Sequence, residues 1–195
     1  MRVYALALLA LFSCLAVSPD VDKGKIYGNP SAPVRLEIYS DFQCPACKNL
    51  HETIIPSLMK DYVIPGKVVI VNREYPLPMH KYSREAANYA TAAARFGFYQ
   101  PVADRLFETQ TNWANTGKVW DTVASVLSPE QQKKVSAVAK EPAIAAAVQA
   151  DVDSGNKERV NSTPTIILIR GTKKLALPYP IQYSYFKSLL DGYLR

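Results

Sequence analysis

The stretch Ser40-Asp41-Phe42-Gln43-Cys44-Pro45-Ala46-Cys47 decides how the rest of the chain is read. Before it, Val34-Arg35-Leu36-Glu37-Ile38-Tyr39 alternates apolar and polar side chains, as a strand does. After it, Pro45 falls where the first turn of a helix tolerates a missing N–H, and Cys47, Leu50, Ile54 and Leu58 recur along one helix face. The two cysteines therefore stand three apart on one side of a helix start, close enough to form a disulfide. Cys44, at the N-cap, faces unpaired backbone N–H groups and the positive end of the helix dipole, and both favour thiolate over thiol. Cys47 sits a turn further in, where apolar packing keeps it protonated. This asymmetry predicts that Cys44 is the nucleophile that forms a mixed disulfide, and that Cys47 resolves it.

Other uses of two thiols stay open at this point. A purely stabilising disulfide gains little, because bridging so short a loop hardly constrains the unfolded chain. Zinc lacks a second Cys pair, and His51 and His80 do not have the usual ligand spacing. Copper(I) suits two thiolates, with His51 as a further ligand. Otherwise His51 reads as solvated helix surface and His80 as a residue at a helix start.

Outward from this centre, Pro56 is expected to kink the helix rather than end it. Residues 67–72, nearly continuous in Val and Ile, predict a buried strand. From about 79 to 159 the pattern is helical, with candidates over 83–96, 101–109 and 119–127. A further helix is predicted from Ser128-Pro129-Glu130-Gln131, a capping-box start, and a last one from Pro142 to about residue 160. Residues 165–169 and 174–177 predict two strands joined by a turn at Gly171-Thr172. A final helix carries Tyr185, Phe186, Leu189, Leu190 and Tyr193. Strands at both ends must share one sheet, with the helical block inserted between them.

The 195-residue chain is 48% hydrophobic and 21% charged, ordinary for one globular domain. Its net charge of +6 comes from dispersed residues with only short pairs such as Lys133-Lys134, which reads as a solvated basic surface and not as a nucleic-acid site. Met1-Arg2 followed by an apolar run to Phe12 and small residues to Ser18 predicts a signal peptide over 1–18. Residues 19–32 read as an extended leader. Leu11-Phe12-Ser13-Cys14 also approaches a lipoprotein signal, in which Cys14 would carry a lipid anchor. Either processing leaves the folded part with Cys44 and Cys47.

Three blocks in order, the Ser40–Cys47 stretch, Tyr75-Pro76-Leu77-Pro78-Met79-His80 and Ser162-Thr163-Pro164-Thr165, make residues 33–195 resemble the DsbA-like branch of the thioredoxin superfamily. The resemblance implies an α/β thioredoxin-like fold, a central mixed sheet flanked by helices, with an inserted helical subdomain. It implies thiol–disulfide exchange with no metal or organic cofactor, on exported proteins bearing cysteines, in the periplasm or cell envelope. The resemblance favours the oxidase direction, with a reductase or isomerase kept reduced by a membrane donor as the alternative. Each needs a membrane redox partner, a quinone-linked oxidase or an electron donor. Pro164 is expected to be cis beside Cys44, and Thr163 to pair with a substrate chain as an added strand. Glu37 is expected beneath the cysteines as a proton relay for Cys47, unless it is an exposed strand residue paired with Arg35 or Lys48. The best-known oxidising members have His where this chain has Ala46. That departure implies thiolate stabilisation mainly by the helix terminus, and a pKa and potential less extreme than theirs.

Overall fold

The computed structural model of the protein describes residues 23–177 and 179–195. The expected signal peptide and the Cys14 anchor lie outside the described residues. Strand β2 (Val34–Ser40) runs into helix α1 (Pro45–Thr53) and on to strand β3 (Val68–Glu74), parallel to it. Between them the backbone stays helical through Ile54 into a short helix α2 (Ile55–Leu58) and a π-helical turn, Met59–Val63. The interruption lies where Pro56 has no N–H to offer the preceding turn.

Strand β3 extends two residues beyond the predicted end, as far as Glu74. Residues 23–32 are not the extended leader expected of them. Lys23–Lys25 forms a 3-10 turn, and β1 (Ile26–Tyr27) pairs antiparallel with β3 at Val71 and Ile70. The physical reason is that β3 has an open edge there, whose backbone groups need partners.

Helices α3 (Ser83–Ala94), α4 (Tyr99–Glu108), α5 (Gln110–Thr116), α6 (Val119–Ala124), α7 (Pro129–Val138) and α8 (Pro142–Lys157) form the inserted block. Ser128 closes the expected capping box with Gln131 at the start of α7. The chain then returns as β4 (Thr165–Arg170), antiparallel to β2, and turns through Gly171, at φ +57°, into β5 (Lys173–Leu177). Helix α9 (Tyr183–Leu194) closes the fold with Phe186 and Leu190 buried, whereas Tyr185 faces solvent. Sheet order is β1-β3-β2-β4-β5, a mixed five-stranded sheet with helices around it. Among the described residues no helix is long and apolar enough to cross a membrane.

Alternation along β2 and β3 separates two interiors. Leu36, Ile38, Val68, Ile70, Ile166 and Leu168 join Cys47 and Leu50 in the main core. Tyr39 and Ile167 point the other way and pack with Tyr75 and Val160. Helix α8 covers that second face, in keeping with the buried strand expected over 67–72. The fit is tight enough that a Cβ on Gly155 would meet the Tyr75 ring at 2.6 Å.

Candidate active site

Cys44 is the N-cap of α1, in extended conformation, with Pro45 in the first turn. Ala46 packs partly buried against the main core. The two cysteines are free thiols, Cys44 7% and Cys47 1% exposed. The Thr163–Pro164 peptide is cis, and the Cys44 thiol donates to the Thr163 carbonyl at 3.3 Å. The Thr163 hydroxyl is buried without a hydrogen-bond partner. It is therefore free to donate to a sulfur that loses its proton.

These surroundings drive the thiols apart. Cys44 is pushed down from 9.0 to about 5, first by the Cys47 thiol donating to it. Burial opposes that shift, while the Thr163 side chain and the N–H groups of Cys47 and Ala46 add to it. Cys47 is pushed well above its ordinary value by burial first, and then by the Cys44 sulfur beside it. The helix terminus thus contributes to the Cys44 thiolate, but the larger contribution is the neighbouring thiol, a correction to the expected balance.

Asp41, which the sequence marked only as part of the stretch, is a buried hub. Its carboxylate accepts from the N–H groups of Gln43 and Leu77, from the Ser83 hydroxyl, and pairs with His80 Nδ1 at 2.8 Å. Its own N–H donates to Cys47 Sγ at 3.4 Å. His80 is thus a partner of Asp41 in the turn before α3, not a bare helix start. Helix α5 was missed because Gln110-Thr111-Asn112-Trp113 shows no apolar period. Its Gln110 is 6% exposed and donates to the carbonyls of Phe42 at 2.7 Å and Cys44 at 3.0 Å, fixing the turn that carries the thiol.

Two expected placements are corrected. Glu37 is buried, but it does not lie beneath the cysteines. It faces the second interior, where it accepts from Arg73 at 3.2 Å and from the Tyr39 hydroxyl at 3.2 Å. Arg35 is 3.6 Å away, while Lys48 pairs with Glu52 instead. The pleat is the reason: Leu36, Ile38 and Ser40 share the cysteine side, and Glu37 has the other parity. His51 is not solvated surface. It stacks on Phe107 with ring centroids 4.6 Å apart and pairs with Asp104 at 2.8 Å. Among the described residues, no group of three or more His, Cys, Asp or Glu side chains could hold a metal ion.

A family model described as thioredoxin matches residues 20–191. The chain belongs to the thioredoxin family. Within it, this DsbA-like chain is 26% identical over 157 residues to the disulfide bond formation protein D of Bacillus subtilis, a match covering 76% of this chain and 68% of that protein. The crystal structure of oxidised BdbD from Bacillus subtilis shares the fold at a TM-score of 0.73 and 24% identity, over 88% of this chain and 94% of that one. The α-DsbA1 structure from Wolbachia pipientis has the same TM-score, 0.73, at 17% identity, over 87% of this chain and 90% of that one. In this DsbA-like site, a low-pKa thiol and a high-pKa thiol share one helix turn opposite a cis-proline loop. That arrangement suits thiol–disulfide oxidoreductase chemistry.

Proposed function

We propose that the chain is an exported protein-disulfide oxidoreductase that works as an oxidase, passing a Cys44–Cys47 disulfide to cysteine pairs of proteins in the cell envelope. The single observation behind this reading is the Cys44 thiol, pushed down to about 5. A stabilised thiolate favours the reduced form of the pair, which makes the disulfide form a better oxidant. The value lies between about 3.5 for DsbA and about 7 for thioredoxin, consistent with Ala46 in the central dipeptide.

A substrate thiolate attacks Cys44 Sγ of the disulfide, and Cys47 leaves; a second substrate thiol then displaces Cys44. The loop at Thr163 and Pro164 supplies the docking edge. While Cys44 carries its proton it occupies the Thr163 carbonyl, and ionisation frees that oxygen for a substrate N–H. Only sulfur chemistry is needed, so the reading requires no metal or organic cofactor. Recharging would fall to a quinone-linked membrane partner. In the reductase or isomerase alternative, a membrane donor would keep the pair reduced.

The test is the potential of the Cys44–Cys47 pair in glutathione buffers, with its redox state in cells. The expected potential is less negative than about −200 mV, with the pair oxidised. A value near thioredoxin's, about −270 mV, with thiols reduced in cells, would overturn the oxidase direction. Cys44→Ser should abolish exchange altogether, which an adaptor without chemistry would survive.

A further inference from the structure

To resolve a mixed disulfide, Cys47 must give up a proton inside the protein, where burial holds that proton tightly. Glu37 stands across the sheet from it. On the cysteine side a different carboxyl is in place. Ser40 and Glu74 are register partners on β2 and β3 and share the parity of Ile38 and Ile70 in the cysteine-side core. Glu74 is 2% exposed and accepts from the Tyr99 hydroxyl at 2.8 Å. Tyr99, Cys47, Ser40 and Asn72 all line one cavity of about 20 Å³. That is room for about one water, with polar groups to hold it.

The charges around Glu74 come from every element packed on it. Lys25 lies on the 3-10 turn, Tyr27 on β1, Asp41 before α1, Tyr99 on α4 and Asp151 on α8. Lys25 pairs with Asp151 at 3.0 Å, and Arg73 bridges Asp151 and Glu37 at 3.0 and 3.2 Å. Two cations thus already balance two carboxylates before Glu74 is counted. Glu74 is pushed up to about 7, by burial first, with Lys25 opposing and Asp151 and Asp41 adding. A carboxyl near neutrality can both take and return a proton.

We propose that Glu74, acting through Tyr99 and a water in this cavity, is the proton reservoir for Cys47, and so a positioning residue for the resolving step. The assignment rests on the thiol–disulfide exchange reading. The Cys47 Sγ–H bond breaks and its proton ends on the Glu74 carboxylate. The sulfur's electron pair forms the bond to Cys44 Sγ, and the mixed disulfide bond breaks. The substrate sulfur leaves as thiolate with the electron pair of the broken bond, and over the two exchange steps together the Cys44–Cys47 dithiol has lost two electrons to the substrate disulfide. In reverse, the departing Cys47 thiolate takes the proton back from Glu74.

The test loads Cys44 of the full chain with thionitrobenzoate as a mixed disulfide and follows release of the coloured thiolate by stopped flow, from about pH 5 to about pH 9. The wild-type rate should bend near pH 7, where Glu74 titrates. Glu74→Gln should remove that bend and slow release about 100-fold at pH 7, the lower end for general acid–base catalysis. Tyr99→Phe, which keeps the acid and cuts its link, should slow release too, and serves if Glu74→Gln does not fold. Alkylation of Cys44 should keep its wild-type pH profile in both. A mixed disulfide that resolves in Glu74→Gln with wild-type rate and bend overturns the assignment alone. Equal slowing by Glu37→Gln overturns it as well, because a group across the sheet has no path to Cys47. If Cys44 forms no mixed disulfide, the exchange reading falls and the assignment falls with it.

Discussion

The two faces of the central sheet carry buried acids that differ by one step of the pleat in what they can reach. On one face, Glu37 is locked to Arg73 and the Tyr39 hydroxyl, and through Arg73 to Asp151. On the other, Glu74 accepts from the Tyr99 hydroxyl, and Tyr99 lines the cavity that Cys47 also lines. The first carboxylate is paired and structural, whereas the second is pushed up to about 7 by burial and accepts from a tyrosine that shares a cavity with Cys47. A buried acid is therefore defined less by its burial than by strand parity, which decides whether an arginine or a thiol is its neighbour.

The largest effect expected of that division is on stability. Arg73→Leu leaves Glu37 and Asp151 buried without their shared cation, which should cost about 3–5 kcal/mol in urea unfolding. The Cys44 alkylation profile should not move, because the pair lies on the other face. A shifted profile would break the separation of the two faces.

A middling effect is expected with pH. In the unfolded chain a thiol ionises near 9.0, and in the fold Cys44 does so near 5. The reduced protein therefore gains on its unfolded state as pH rises from about 5 to about 9, and loses that gain as pH falls back through 5. Cys47, pushed upward, works in the opposite sense only above 9. Denaturant midpoints of the reduced protein, compared with those of the disulfide form, should converge towards pH 5. Alkylation of Cys44 should be flat from about pH 7 to about pH 9, where an ordinary thiol accelerates steeply.

Smallest is Ser128→Ala, which removes the α7 capping box far from both acids. It should cost about 1 kcal/mol in thermal or urea unfolding and leave exchange rates unchanged.

Much of this arrangement was legible in the sequence, and the misses have physical causes. Helix starts at Pro45, Pro129 and Pro142 could be read because proline and capping side chains act locally. The two cysteines announced themselves by residue type, whereas the cis Pro164 beside Cys44 followed only from the family resemblance. The face of Glu37 is also legible by parity, since Leu36 and Ile38 mark the cysteine side, whereas the family resemblance implies an acid beneath the thiols. Glu74 escaped because the apolar run stops at Val71, so β3 was ended at Asn72 and its last buried position was lost. Lys25 and Gln110 left no local trace. A lysine in a polar leader and a glutamine in a polar helix become interior only when an open strand edge and two turn carbonyls, distant in sequence, come to meet them.

The burial of Lys25 makes the turn before β1 part of the molecule's acid–base balance. A molecule trimmed to start at Ile26 would keep every residue of the Cys44–Cys47 turn and still lose an interior cation. Asp151 would then keep Arg73 as its cation and the Glu74 N–H as a donor, and Glu74 would lose the ammonium that now restrains its climb. Ragged amino termini in a purified sample would therefore show up as a spread of titration curves, in molecules whose thiol counts are identical.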